Sequence, residues 1–219
     1  MSEVTGPKVY IYSILLGILI FLGGCASNDE FPFNFGKTTT VPPPPPPPPP
    51  TVRHGWFPTD STVPREWIPP AMLEKSWAAI VIHHSGTDEG NMAIIDKWHR
   101  EGRHWEGVGY DFVIGNNTGS GNGEVETTFR WTGQKVGAHC KTPDNWANEN
   151  AVGICLIGDF NKRTPTGPQM MSLVKLVRFL QKRYNIPAGR IYGHGDTPGA
   201  IVTDCPGRHF SMARFKSML

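Results

Sequence analysis

With 219 residues the chain has room for one core-bearing domain plus extensions. Its 21 Lys+Arg against 19 Asp+Glu leave a net charge of +2, a balance that argues against a nucleic-acid partner, which calls for a strongly basic face. Four cysteines are too few for a disulfide scaffold of this length, and no C-x-x-C occurs, so zinc-finger and thioredoxin-like readings fall away.

In chain order, Val9 to Gly24 carries no charge over 16 residues. That is short of the ~20 that span a bilayer as a helix, and with Lys8 ahead of it the segment reads as a secretory h-region. Leu22-Gly23-Gly24-Cys25 resembles a bacterial lipobox. The resemblance implies a signal peptide over 1–24, cleavage before Cys25 and acylation of its thiol. The bland alternative is an uncleaved anchor with an incidental cysteine. Ala26 follows where retention at the inner membrane usually calls for Asp, so the implied location is the outer membrane, facing the periplasm. Residues 25–65 read as a lipidated cysteine and tether. Nine of the 21 prolines form one block, Pro42 to Pro50. In polyproline II such a block is a stiff rod of roughly 28 Å. The flanking Thr, Ser, Asn and Asp show no apolar periodicity.

From residue 66 to 219 the pattern is that of one mixed α/β domain, expected to be monomeric. Ala78 to Ile82 is a β-branched apolar run and reads as a buried strand. Asn91 to Arg100 places Met92, Ile95 and Trp98 or His99 on one helical face. Tyr110–Ile114 and Glu124–Arg130 read as strands, with a turn over Gly119–Gly123 between them. That glycine-rich turn leads into a strand, not a helix, so a phosphate loop is not expected. Ala151 to Ile157 is a further buried strand. Thr166 to Tyr184 is a helix: Thr166 and Gln169 form a capping box, Pro168 sits in the first turn, and Leu173, Leu176, Val177 and Leu180 form the buried stripe. Asn185 and Pro187 end it. Arg190–Tyr192 reads as a last strand and Arg208–Met218 as a C-terminal helix. Interleaved strands and helices predict a central sheet with helices on its faces.

Eight histidines are present, and two follow buried strands directly: His83 in IVIHHS and His194 in RIYGHGD. Cys205 lies in a turn beyond His194. Two imidazoles and a thiolate suit Zn2+, and three protein ligands leave a fourth position open, as in catalytic sites. His83 and His84 compete for one role, because adjacent strand residues point to opposite faces. Spacing alone leaves the choice open, together with the reading of His194 and Cys205 as ordinary turn and core residues. Cys155, in an apolar strand, reads as a small core residue in preference to a disulfide partner of Cys140.

Five blocks then occur in order: Ile80-Val81-Ile82-His83-His84-Ser85, Gly107-Val108-Gly109-Tyr110-Asp111-Phe112, Val136-Gly137-Ala138-His139, Val152 to Gly158, and Gly193-His194 with Cys205-Pro206-Gly207. Together they resemble the type 2 N-acetylmuramoyl-L-alanine amidases, relatives of the peptidoglycan recognition proteins and phage amidases, over about residues 75 to 215. The resemblance implies a mixed central sheet flanked by helices in a single zinc amidase domain. It implies that His83, His194 and Cys205 are zinc ligands and that Tyr110 and Thr203 are active-site hydroxyls. It makes His139 a cleft histidine that touches substrate. The implied substrate is peptidoglycan or a muropeptide, cut between muramic acid and L-alanine. One departure is a ten-residue spacing between His194 and Cys205, longer than in compact members and closer to the cytosolic recycling amidases, which carry Asp where Cys205 stands. The alternative is a binding module of the same fold, which recognises muropeptides without cutting; such modules lack the cysteine ligand. The sequence contains no H-E-x-x-H and no G-x-S-x-G, which leaves other zinc peptidases and serine hydrolases without support.

Overall fold

In the computed structural model, which describes residues 63–219, five strands form one sheet in the order β3-β2-β4-β1-β5. The proposed signal segment, Cys25 and almost all of the tether lie outside the described residues. The strands are β1 (Ala79–His84), β2 (Phe112–Ile114), β3 (Val125–Thr127), β4 (Ala151–Leu156) and β5 (Ile191–Gly193). β1 pairs in parallel with β4 and β5, β2 in parallel with β4, and edge strand β3 runs antiparallel to β2. The fold is therefore the expected mixed sheet flanked by helices. Among the described residues no helix is long and apolar enough to cross a membrane.

The period of two along β1 and β4 sorts their side chains onto two faces. Ile80 and Ile82 join Val152, Ile154 and Leu156 in the main core, against Leu173, Leu176, Val177 and Leu180 of α4 (Gly167–Tyr184). Each such buried aliphatic side chain contributes about 2 kcal/mol. The Thr166–Gln169 capping box starts α4, and Asn185 in a left-handed conformation ends it. On the opposite face Val81 packs with Cys140 and Ala147, and Cys155 packs with Ile95, Val108, Val113 and Ile157. α1 (Met92–Arg103), capped by the Asn91 side chain, covers this second face through Ile95. His83 and Cys155 share it, and β1–β4 register sets them side by side.

Several boundaries differ from the sequence reading. The strand expected over Glu124–Arg130 ends at Thr127, because the Thr128 hydroxyl accepts from the Arg130 amide and starts the short helix α2 (Phe129–Thr132). Arg130 is then held inside by bonds to the carbonyls of Val108 and Val136. The strand at Tyr110 begins only at Phe112, and the last strand is shifted by one residue. A five-residue helix, α3 (Trp146–Asn150), precedes β4 without having been expected. The C-terminal helix α5 (Met212–Ser217) starts four residues later than expected, at a Ser211 cap.

Candidate metal centre and its surroundings

β1 delivers His83 to its C-terminal end, where it is 1% exposed. His194 opens the 3-10 turn that follows β5, and Cys205 comes back to the same place from the long loop. One ligand atom from each of His83, His194 and Cys205 lies within 4.8 Å of the others. Nδ1 of His83 is 3.7 Å from Sγ of Cys205, and the rings of His83 and His194 are 4.7 Å apart. Tetrahedral zinc with ordinary bond lengths separates an imidazole nitrogen from a thiolate by about 3.6 Å, so the donor set fits that ion. Gly195 lets the loop close: a Cβ there would come 2.1 Å from the Thr203 carbonyl oxygen.

The electrostatics suit a cation. Burial, reinforced by His139, His194 and His84, holds His83 well below the ordinary histidine range, and burial lowers His194 too. Both rings are neutral near pH 7 and keep a lone pair for a metal. Burial pushes the Cys205 thiol up to about 12, against the pull of the His84 backbone N–H. A metal coordinated by Cys205 would instead favour the thiolate.

His84 lies on the opposite side of β1, as alternation requires. Its Nδ1 accepts from the Phe160 amide at 3.1 Å, and its ring lies against that of Phe160. Tyr110 reaches the cluster: its ring is 5.1 Å from that of His83. Burial, then Cys155 and Cys205, raises its hydroxyl well above the usual tyrosine value, so it remains a proton donor. The Thr203 side chain is exposed, and its oxygen accepts from the Cys205 amide at 3.3 Å, which leaves its own proton free to donate. His139, expected to face substrate in a cleft, is instead buried behind His83. Its Nδ1 is 3.1 Å from Nε2 of His83, and its Nε2 is 3.2 Å from the Ala151 carbonyl.

The structure adds residues that the sequence reading left without a role. Cys155 lies in the buried cluster against which Tyr110 packs, and burial holds its thiol well above the ordinary thiol range. Cys140, Cys155 and Cys205 are free thiols in the structure, the first two buried. His99 accepts the Gly109 amide on Nδ1 and continues a row of rings from Tyr110 to Trp105. Strand register would have found Cys155, since it pairs with His83.

Comparison with known proteins gives a consistent picture. A family model described as N-acetylmuramoyl-L-alanine amidase matches residues 73–208. Peptidoglycan-recognition protein SC2 of Drosophila melanogaster is 32% identical over 114 residues, 52% of this chain and 54% of that protein. The N-acetylmuramoyl-L-alanine amidase of Sus scrofa is 28% identical over 119 residues, 53% of this chain and 18% of its own length. The chain thus spans about half the length of the recognition protein it matches, and less of the mammalian amidase. Among solved structures, the N-acetylmuramoyl-L-alanine amidase LysC from Clostridium intestinale superposes with a TM-score of 0.54 at 32% identity, over 65% of this chain and 84% of that one. A Drosophila PGRP-LB variant in complex with tracheal cytotoxin gives 0.50 at 26% identity, over 65% and 82%.

Proposed function

The chain belongs to the N-acetylmuramoyl-L-alanine amidase family, and from that premise we propose that it hydrolyses the amide bond between N-acetylmuramic acid and L-alanine in peptidoglycan or muropeptides, using a zinc ion held by His83, His194 and Cys205. The observation that carries this reading is the convergence of two imidazoles and a thiol within 4.8 Å at the end of β1. A zinc ion held by these three residues would supply Lewis acidity to the scissile carbonyl and would bring the pKa of a water toward ~7.

The chain's own groups have separate tasks. Tyr110, held protonated by burial beside Cys155, donates to the oxygen on which negative charge develops at the lactyl carbonyl. Thr203, tied to the amide of Cys205, presents a second hydroxyl at the rim. His83, fixed at the end of a central strand, gives the site a rigid floor. Binding without cleavage, as a recognition module, is the competing reading, and the Cys205 thiol beside both histidines favours cleavage. We further propose that Cys25 carries a lipid anchor in the outer membrane and that residues 25–65 tether the domain in the periplasm.

The test is digestion of a defined muropeptide followed by mass spectrometry. The expected products are a peptide with a free L-alanine amino group and a sugar with a free lactyl carboxylate. Tight binding with no new amino group would favour the recognition module instead.

A further inference from the structure

We propose that His139 is a positioning residue that fixes His83 in the tautomer a metal needs, through a chain of hydrogen bonds that ends on the backbone of β4. The proposal rests on His83 being a metal ligand. A carbonyl oxygen only accepts. The 3.2 Å contact between Nε2 of His139 and the Ala151 carbonyl therefore places the His139 proton on Nε2. A neutral ring protonated there has only a lone pair at Nδ1. Nε2 of His83, 3.1 Å from that lone pair, must be the donor. His83 then carries its proton on Nε2 and has a bare Nδ1, and this is the atom that faces Cys205. Metal-bound histidines generally donate their other N–H to a fixed acceptor, which sets both tautomer and ring orientation. Here the acceptor is a second imidazole.

The surroundings are built to hold that second ring still. A Cβ at Gly153 would lie 2.4 Å from Cδ2 of His139, and one at Gly137 would lie 2.6 Å from the same atom. Bare backbone on β4 and in the preceding loop is thus what lets the ring lie where it does. The Asn148 side chain accepts from the amides of both His139 and Cys140, at 2.8 and 2.9 Å. Its own amide donates to the Asn145 side chain at 2.8 Å. The relay therefore runs from α3 and β4 to His83 without touching the open side of the site.

Two measurements test this on the purified protein. The first is nitrogen NMR of the histidine rings in zinc-free wild type. Expected are His83 and His139 each protonated on Nε2 alone; a proton on Nδ1 of His83 would overturn the proposal. The second is zinc affinity by chelator competition for wild type, His139→Phe and His139→Asn. Phe keeps a flat ring but removes the acceptor, and zinc should bind about 10- to 100-fold more weakly. Asn offers an oxygen near the position of Nδ1 and should recover most of that loss. Wild-type affinity in His139→Phe, or an equal loss in both variants, would reject the relay. If His139→Phe does not fold, the tautomer measurement decides. If wild type binds no zinc at all, the metal reading fails, while the tautomers still judge the relay separately.

Discussion

Asp111 is a carboxyl with 0% exposure, next to Tyr110 and braced on β4. Oδ2 accepts from the Gly153 amide at 2.8 Å, while Oδ1 has no partner. Burial raises its pKa from 3.8 to about 7, with partial relief from the Gly153 amide, Lys75 and Arg130. A folded-state value above the unfolded one means the native chain binds the extra proton. Stability from this group is full below about 4 and is lost as pH rises toward 7. A pKa raised from 3.8 to about 7 is worth about 4 kcal/mol over that window. Asp111→Asn keeps an oxygen for the Gly153 amide but cannot ionise. Urea denaturation of both proteins from pH 4 to 8 isolates the effect, because every other titrating group is shared. The variant should gain on wild type by about 4 kcal/mol as pH rises, with the change complete just above pH 7. A stability difference that stays flat between pH 4 and 8 would refute the reasoning and mean that the carboxyl is solvated or paired.

Other outcomes are expected. His84→Ala leaves the Phe160 amide without its acceptor and should cost about 1–3 kcal/mol in denaturation, with zinc affinity little changed, whereas His83→Ala should abolish zinc binding; the reverse ranking would exchange their roles. Tyr110→Phe should lower kcat by about 10²-fold or more with zinc affinity unchanged, and kinetics showing an effect on KM alone would remove the hydroxyl from the chemistry. Cys25→Ser should abolish labelling of cells by a palmitate analogue, and unlabelled wild type would end the lipoprotein proposal; deletion of Ala26 to Pro50 should leave cleavage of soluble muropeptides intact while reducing attack on the cell's own wall.

What was legible in the sequence was local. The β-branched run before His83 and the capped, striped segment from Thr166 to Tyr184 carry their own signals of period and punctuation, and both elements form, although the strand starts at Ala79 and runs on through His84. α2 and α3 are only four and five residues long. Too short to be stable alone, they are held by tertiary bonds: Arg130 to distant carbonyls and Asn148 to the loop at His139. No periodicity announces such contacts. The same holds at the site. Strand ends and resemblance pointed to His83, His194 and Cys205, which the fold brings together. The place of Cys155 beside His83 depends on strand register across the sheet, and the burial of His139 depends on two glycines whose lack of a side chain has meaning only once β4 lies against the ring.

The most direct test of the central claim is a zinc titration of metal-free protein, following release of L-alanine amino groups from a defined muramyl peptide. Turnover should be absent at the start, rise in proportion to added zinc, and level off at about one ion per chain. Cys205→Ser should need far more zinc and remain inactive. Full turnover by the metal-free protein, or none with zinc bound, would contradict the assignment of His83, His194 and Cys205 as the centre of a zinc amidase.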